Sequence, residues 1–302
     1  MKIVASAPAR ISFLGGGSDL ASFSDIYGGV VMSMAINLRS HVEVMTGDDM
    51  WNEYNVFPQS VKPDLCYAIR DVYGINSMHH SVVKSKFDGV IGAGLGSSGA
   101  FSVALVAALE KLNDRGIDHF GIAEKAYKIE LGIHTTGRQD HYAASYGGSN
   151  LFTFGKKNHS VPLNKKWVDL IYPYMFLVYL GKREKRDSIL SPLDKELLKT
   201  MQKLIPKAIE YLGEGNVMEF IKSVALCWEI KRELNTSTDK INKIYERGLK
   251  NGALGGKLLG SGGGGYFLFF VEPSKRKEFV EKMGIEIVDF SPSWDGVEAR
   301  IV

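Results

Sequence analysis

Two spacings of apolar residues recur along the chain and predict interleaved strands and helices. Residues 2–17, KIVASAPARISFLGGG, indicate a strand that runs into a glycine turn, and HVEVMT (41–46) alternates apolar and polar positions as a half-buried strand does. Helix formers fill GAFSVALVAALEKLND (99–114), where Phe101 and Leu105 share one broad face. The same periodicities predict helices over 119–133 and 139–148 and a strand over 149–154.

A second block of elements begins near Trp167. YMFLVYLG (174–181) is typical of a buried strand, and KLLGSGGGGYFLFFVE (257–272) of two strands around a glycine turn. Amphipathic spacing predicts four further helices, over roughly 194–214, 216–234, 240–252 and 274–284. A final strand is predicted after them. Strands and helices interleave in both blocks, so we predict an α+β protein of two domains, 1–165 and 166–302.

Composition narrows the function classes. The 302 residues are 45% hydrophobic, which allows a sizeable core, and the formal net charge of +3 comes from charges of mixed sign. Because no dense Lys/Arg block occurs, we expect neither nucleic acid nor an anionic membrane as a partner. The two cysteines form no CxxC pair, which indicates neither a zinc knuckle nor a disulfide framework. The first residues lack the apolar run of a signal peptide, and we expect a cytoplasmic setting.

The stretch GVIGAGLGSSGAFSVALV (89–106) places a glycine-rich loop directly before an apolar helix. Glycine lets the main chain approach an anion closely, and a helix start adds unpaired N–H donors, so the loop suits a phosphate. Ser97 and Ser98 could supply hydroxyls to phosphate oxygens or to magnesium. A tight turn with a serine cap is the alternative. No GxxxxGK[ST] sequence occurs, which excludes a P-loop NTPase.

Two further glycine loops lie in PARISFLGGGSDL (8–20) and LLGSGGGGYFL (258–268). Four consecutive glycines permit close backbone packing against a ligand, and a flexible hairpin is the alternative. Together with GAGLGSSGA (92–100), these stretches resemble the three ordered motifs of the GHMP small-molecule kinases, and the resemblance covers the chain nearly end to end. Within that superfamily, RISFLGGGSDL and GRQDHYAASYGG are most similar to the D-glycero-α-D-manno-heptose 7-phosphate kinases.

The resemblance implies a ribosomal-protein-like N-terminal domain with a left-handed βαβ crossover and a ferredoxin-like C-terminal domain. It implies that ATP and a sugar lie between them, and that the anomeric hydroxyl of heptose 7-phosphate is phosphorylated to the 1,7-bisphosphate, on the route to activated heptose for bacterial surface polysaccharide. The residues then expected to bind ATP are Gly92, Gly94, Leu95, Gly96, Ser97, Ser98 and Gly99.

Glu130 falls on the apolar stripe of its helix, beside Ala126 and Tyr127. A carboxylate there is costly unless it is paired or bound to a metal, so a buried salt bridge and a metal ligand both remain open. The resemblance implies that Glu130 and Ser98 hold Mg²⁺.

Asp140 stands at the predicted start of a helix, where the dipole favours an acid. The resemblance implies that it is the catalytic aspartate, with Arg10 near it, and that Asp19 accepts sugar hydroxyls; a turn-forming aspartate is the alternative for Asp19. Arginines suit a substrate phosphate, although the basic run 181–190 also fits a solvated loop. The residues expected to bind substrate are Gly16, Gly17, Ser18, Asp19, Arg138, Arg183, Arg186, Gly262, Gly263 and Gly264.

Departures from the family pattern weaken the match to the subfamily more than they weaken the expectation of kinase activity. His141 stands where many relatives have glutamine, and Ser18 where threonine is frequent. A fucokinase-like or other sugar 1-kinase is the nearest alternative enzyme. A catalytically silent sugar- and nucleotide-binding sensor is the alternative from another class, and loss of the aspartate, glutamate or serine would have favoured it. The protein is expected to be a monomer or a homodimer with a small-molecule substrate.

Overall fold

Antiparallel strands and packed helices alternate along the chain in the computed structural model, which describes residues 1–46, 63–74, 81–183, 192–234 and 236–302. The strands are β1 (Lys2–Leu14), β2 (Gly29–Thr46), β3 (Ser81–Phe87), β4 (Ser149–Phe154), β5 (His159–Pro162), β6 (Met175–Tyr179), β7 (Ala253–Leu258), β8 (Tyr266–Val271), β9 (Ile287–Val288) and β10 (Glu298–Ile301). The helices are α1 (Ala21–Tyr27), α2 (Pro63–Val72), α3 (Ser97–Leu112), α4 (His119–Leu131), α5 (Gln139–Tyr146), α6 (Lys165–Ile171), α7 (Pro192–Gly213), α8 (Val217–Glu233), α9 (Asp239–Lys250) and α10 (Arg276–Met283). The predicted α+β class is confirmed.

The long strand β2 organises the first sheet. It pairs with β1 along one edge, from Met45 opposite Lys2 to Met32 opposite Leu14, while β3 and β4 share its other edge. The alternating pattern predicted a strand only over 41–46. The half of β2 that precedes it is almost wholly buried and so carries no apolar–polar alternation.

A second antiparallel sheet has the strand order β7-β8-β6-β9. The last strand of the chain, β10, does not join it but pairs with β1 at the edge of the first sheet, where Ile301 lies opposite Ile3. The first sheet therefore combines strands from residues 2–162 with the end of the chain. The division at residues 165/166 stays a prediction, and it assigns β10 to the second domain although β10 pairs within the first sheet.

Helix α3 packs on the first sheet and is buried on nearly every side. All its residues from Gly99 to Glu110 are buried, and many are alanines, which let neighbouring elements approach closely. The helix joins side chains of the sheet, such as Ile3 and Val44, in one apolar cluster. This packing fixes the position of the glycine loop that precedes Ser97.

A second apolar cluster connects the two sheets. It contains Phe13 and Met34 from the first sheet and Leu177 and Phe270 from the second, together with side chains of α7 and α8. The buried ammonium of Lys257 also crosses between the sheets and donates a 2.8 Å hydrogen bond to the carbonyl of Phe13. Among the described helices, none combines the length and apolar character needed to cross a bilayer.

Candidate active site

A cavity of about 430 Å³ opens where the three glycine loops meet, and we call it the central cavity. The first loop contributes Gly16 and Gly17, the second Gly92, Gly94 and Gly96, and the third Gly260 and Ser261. Its charged lining is Arg10, Asp19, Lys86, Glu130, Asp140, Arg183, Asp194 and Lys231. The volume of the cavity and its mixture of apolar and charged lining residues fit a small-molecule site.

The second glycine loop ends directly at the first turn of α3. Gly96 has a φ of 75°, a left-handed conformation that turns the chain into the helix at Ser97. The backbone N–H of Gly92 donates a 3.0 Å hydrogen bond to the hydroxyl of Ser97, and no atom lies within 4 Å of the position a Gly92 Cβ would take. The loop thus offers bare backbone and a helix N-terminus to the cavity, which suits an anion.

Two residues of the same loop region do not line the cavity. Leu95 is fully buried and its carbonyl accepts a hydrogen bond from the backbone of Arg10. Gly99 lies against Asp140, since a Cβ at Gly99 would come within 2.7 Å of the Cβ of Asp140. Both residues therefore pack against protein and help to position the loop.

Asp140 lies in the first turn of α5 and faces the cavity with Arg10 beside it. The Nε of Arg10 donates to Asp140 Oδ1 at 2.8 Å, and an Nη of the same guanidinium is 2.5 Å from that oxygen. Arg10 also donates to the carbonyl of Gly94 at 2.6 Å. The arginine side chain is buried while that of Asp140 is 25% exposed, so the carboxylate is held in one orientation yet stays accessible to a ligand.

Glu130 lies deep in the cavity wall with a partner at each carboxylate oxygen. Ser98 donates to Oε1 at 2.6 Å, and His141 and Ser102 contact Oε2 at 2.8 and 3.2 Å. His134, one turn further along, is 3.0 Å from Oε1. Burial acts to raise the pKa of Glu130, but the hydrogen bonds from His134 and His141 outweigh it, and the net pKa lies well below the ordinary value.

The opposite shift holds for His141, which is fully buried. Burial acts to lower the pKa of His141, yet the hydrogen bond and the charge of Glu130 raise it above its ordinary value overall. Position 141 thus holds a hydrogen-bonding partner for Glu130. The salt-bridge and ligand alternatives for Glu130 are not exclusive, because Glu130 and Ser98 both line the cavity.

Asp19 is buried at the end of the first loop and accepts three hydrogen bonds. They come from the backbone N–H groups of Gly17 and Gln139, each at 3.0 Å, and from the side chain of Gln139 at 2.9 Å. Burial raises the pKa of Asp19 overall, although these backbone donors lower it in part. Ser18, next to it, bonds the backbone of Val30 and does not line the cavity.

The predicted phosphate-binding arginines are placed differently from one another. Arg183 lines the cavity and donates from Nε to the carbonyl of Gly262 at 3.0 Å. Arg138 is not part of the lining; its guanidinium pairs with Asp25 at 2.9 Å and lies over the ring of Tyr127. Its charge is thus already balanced. Arg186 lies outside the described residues.

Most of the third glycine loop packs on protein backbone. Gly262 and Gly264 lie so close to Thr236 and Lys182 that a Cβ would come within 2.4 and 2.7 Å of their carbonyl oxygens. The N–H of Gly263 donates to the carbonyl of Thr236 at 2.9 Å. These three glycines, expected to bind substrate, are absent from the cavity lining, where Gly260 and Ser261 stand instead.

Lys231 is a cavity residue that the sequence analysis missed. It occupies the last turn of α8, is 6% exposed, and donates to the carbonyl of Gly260 at 2.5 Å. A signal was present, because Lys231 lies three and four residues after Trp228 and Cys227 and so shares their apolar stripe. Like Glu130, this lysine is a charged residue on the apolar side of its helix.

Comparison with known families assigns both halves of the chain. The model of the GHMP kinases N terminal domain matches residues 64–148, and that of the GHMP kinases C terminal domain matches residues 208–288. Among individual proteins, the D-glycero-alpha-D-manno-heptose 7-phosphate kinase of Campylobacter jejuni is 27% identical, with 97% of each chain covered. A mevalonate kinase of Pyrococcus abyssi is 26% identical and covers 91% of this chain and 90% of its own.

Solved structures show the same fold. A D-glycero-D-manno-heptose 1-phosphate kinase from Bacteroides thetaiotaomicron superposes with a TM-score of 0.80 at 22% identity, with 99% of each chain covered. The mevalonate kinase of Methanococcus jannaschii gives a TM-score of 0.73 at 21% identity, over 96% of this chain and 98% of its own. The predicted kinase fold is confirmed; the left-handed crossover stays a prediction.

Proposed function

The chain belongs to the GHMP kinase family, and we propose that it transfers the terminal phosphoryl group of ATP to the anomeric hydroxyl of D-glycero-α-D-manno-heptose 7-phosphate. The family makes the chain a phosphotransferase, and GHMP kinases use ATP as phosphate donor. The sugar is carried over from the similarity to the Campylobacter jejuni enzyme. The product, a heptose 1,7-bisphosphate, would feed the synthesis of activated heptose for bacterial surface polysaccharide in the cytoplasm.

The observation that carries this proposal is the placement of Asp140. Its partly exposed carboxylate lies between the second loop, suited to phosphates, and Asp19 with Gln139, suited to sugar hydroxyls. A hydroxyl that donates to Asp140 would therefore stand next to a phosphoryl group on the loop. Phosphoryl transfer depends mainly on such positioning.

The nucleotide has a matching surface in the cavity. Leu65 of α2 and Phe101 of α3 belong to one apolar cluster, and Phe87 and Ile91 also line the cavity. We assign the adenine ring to this surface and the phosphates to the backbone N–H groups between Gly92 and Ser98. This arrangement would let the apolar base stack on apolar side chains, while the charged phosphates meet the N–H groups of a helix N-terminus.

The transfer step balances without a covalent enzyme intermediate. The anomeric oxygen forms a bond to the terminal phosphorus, the bond from that phosphorus to the bridging oxygen of ADP breaks, and the hydroxyl proton passes to Asp140. The Arg10 guanidinium fixes the orientation of the Asp140 carboxylate that would receive this proton. Because the transition state is loose, the proton can leave late, and a weak base suffices.

The residues expected to hold Mg²⁺ fit that ion by chemistry. Glu130 and Ser98 present a carboxylate oxygen and a hydroxyl 2.6 Å apart beside the second loop, and hard oxygen donors are what Mg²⁺ prefers. Among the described residues no group of three or more His, Cys, Asp or Glu side chains could hold a metal. Two protein donors leave the remaining positions to water and phosphate oxygens, as is usual for Mg²⁺ with nucleotides. When bound, the ion neutralises charge on the phosphates.

One assay tests the substrate. ATP consumption is measured against heptose 7-phosphate, mannose 6-phosphate, fucose, galactose and mevalonate, and the product of any active substrate is examined by ³¹P–¹H correlation. We expect the highest kcat/KM for heptose 7-phosphate and the new phosphate on the anomeric carbon. Preference for mevalonate or fucose would replace the proposed sugar, and ATP binding without turnover of any acceptor would favour the sensor.

A separate experiment tests the metal role. Glu130→Gln keeps the shape of the side chain but removes the charge, so we expect activity to require a higher Mg²⁺ concentration. Direct binding of Mn²⁺ to the enzyme–nucleotide complex, followed by electron paramagnetic resonance, gives a readout independent of turnover. If the variant binds metal like the parent but melts earlier, the role of Glu130 is structural, through its contacts with Ser98, Ser102, His134 and His141.

A further inference from the structure

Positive charge exceeds negative charge around the third glycine loop. Lys231 and Arg183 line the cavity there, and Lys257 lies behind Lys231 on β7. None of the three forms an ion pair with a carboxylate of the described residues, although the charge of Asp140, which is paired with Arg10, also acts on Arg183. Buried or half-buried cations without a counter-charge are costly, and this cost is offset when an anion binds.

We propose that Lys231 and Arg183 form a binding site for a phosphate group, and that the Lys231 ammonium contacts the phosphate oxygens directly. This inference rests on the proposed function, because it supplies a cationic contact for one of the phosphates of that reaction. Arg138 was expected to bind the phosphate, but its charge is balanced by Asp25. The proposed site uses Lys231 and Arg183 instead, which bond the carbonyls of Gly260 and Gly262 in the third loop.

The hydrogen bonds of both cations leave donors for a ligand. Lys231 has three ammonium donors and one described acceptor, the carbonyl of Gly260. Arg183 donates from Nε to Gly262 and from one Nη to the hydroxyl of Ser261, and its other Nη donates to no described residue. Both side chains reach the cavity wall at Gly260 and Ser261, so one anion can meet both.

The protonation of Lys231 is sensitive to such an anion. Burial first, and then the charge of Lys257, with smaller contributions from Arg10 and Arg183, lower the pKa of Lys231 to about 7. The thiol of Cys227, one turn earlier on α8, acts weakly in the opposite direction. A phosphate at this point favours the charged ammonium, so binding above pH 7 should draw a proton from solution.

A purely structural role for Lys231 is the competing explanation, since its bond to Gly260 also holds the third loop. Lys257 offers a matched control. It is equally buried, also donates to a backbone carbonyl, that of Phe13, and does not line the cavity. Replacing either lysine by methionine keeps much of the apolar stem and removes the charge.

The experiment is isothermal titration at pH 7.5 in two buffers of different ionisation enthalpy. The ligands are a non-hydrolysable ATP analogue, ADP, and heptose 7-phosphate, each alone. For the parent enzyme we expect uptake of up to about three quarters of a proton with the ligand whose phosphate reaches Lys231, as follows from a pKa of about 7. Proton uptake with the ATP analogue but not with ADP assigns the site to the terminal phosphoryl group. Proton uptake with heptose 7-phosphate assigns it to the sugar phosphate.

Variants of the two lysines distinguish phosphate binding by Lys231 from a purely structural role. Lys231→Met should lose this proton uptake and weaken that ligand by about 10- to 100-fold, the range of a charged hydrogen bond. Lys231→Arg should keep most of the affinity yet lose the uptake, because arginine stays charged throughout. Lys257→Met should melt earlier but keep the parent's ligand affinity, while its proton uptake should fall in part, because loss of the Lys257 charge raises the pKa of Lys231.

The inference is overturned if Lys231→Met and Lys231→Arg bind all three ligands with the parent's affinity and proton count. It is also overturned if Lys257→Met reproduces the loss of affinity seen with Lys231→Met. Failure of the proposed function looks different: no acceptor is then turned over, while the ATP analogue still binds with proton uptake that depends on Lys231.

Discussion

The second and third glycine loops have similar composition but opposite surroundings. In the second loop, Gly92 has open space where a Cβ would stand, and Gly96 lies against the side chain of Asp140. In the third loop, Gly260 and Gly265 lie against other backbone, at Gly94 and Ala93 of the second loop. One loop thus leaves room for a ligand and for a functional side chain, and the other provides a close contact between main chains.

This difference shows how one cavity is assembled from two halves of the chain. The N–H of Tyr266, at the end of the third loop, donates to the carbonyl of Ala93 at 2.8 Å, and the Tyr266 hydroxyl accepts from the N–H of Val90. Glycines at the contact let the two loops meet without side chains between them. The third loop therefore positions the second, and substitutions in it should act first on folding.

The largest expected effect is that of Gly265→Ala. The φ of Gly265 is 92°, and a Cβ there would lie 2.0 Å from the carbonyl oxygen of Ala93, so backbone must move. We expect a loss of about 4 kcal/mol or more in the free energy of unfolding, the range of the most disruptive single substitutions. Urea denaturation measures it. The control is Gly252→Ala, with a φ of 101° and no atom within 4 Å; equal losses in both variants would mean that backbone strain alone is at work.

The second effect concerns the side chain that the second loop accommodates. Asp140→Asn keeps the size of the group next to Gly96 and Gly99, so folding and binding of an ATP analogue should be nearly unchanged. We expect kcat to fall by about 10²-fold or more, as is usual for a positioned acid–base group. Near-parental turnover in steady-state kinetics would remove Asp140 from the mechanism and leave its contact with Arg10 as structural.

The sequence pattern predicted the elements better than their connections. Helices such as α3 and the strands around the third loop follow from apolar periodicity, which local physics imposes. The pairing of β10 with β1 depends on contacts between residues about 300 positions apart, and no local pattern reports it. The buried half of β2 was missed because a strand covered on both faces loses its alternation.

The same distinction applies to the candidate site. The inward position of Glu130 was predictable from its helix face, and the structure places Ser98 beside it. The proximity of Arg10 to Asp140 was expected only from the family resemblance, since these residues are 130 positions apart. Arg138 was expected to hold phosphate because arginine suits that role; its partner Asp25 comes from another helix, which the sequence alone does not show.

A smaller effect should separate positioning from stability within the second loop region. In Gly99→Ala the new Cβ would come within 2.7 Å of the Cβ of Asp140 and 3.1 Å of its backbone carbonyl carbon, so the first turn of α5 must shift, while alanine favours the helix by about 1 kcal/mol. We expect kcat to fall roughly tenfold, because small displacements of a reacting group are costly, with a smaller loss of stability than in Gly265→Ala. Gly213→Ala, at the end of α7 with open space, is the control and should leave kcat unchanged. A fall in stability without a fall in kcat would contradict this interpretation.

The smallest expected effect compares two glycines that share a conformation but not a location. Gly92 and Gly284 have φ values of 72° and 56°, and neither has an atom within 4 Å of the Cβ position. Alanine at either site should therefore cost about 1–2 kcal/mol of unfolding free energy through left-handed strain alone. Only Gly92 faces the cavity, so only Gly92→Ala should also raise KM for ATP, by a few-fold, because its methyl group enters the space assigned to phosphate. Steady-state kinetics at saturating sugar and urea denaturation of both variants give the two readouts. If both variants lose the same stability and both keep the parental KM, the backbone at Gly92 does not approach the nucleotide, and the phosphates must bind nearer to Gly96 and the first turn of α3.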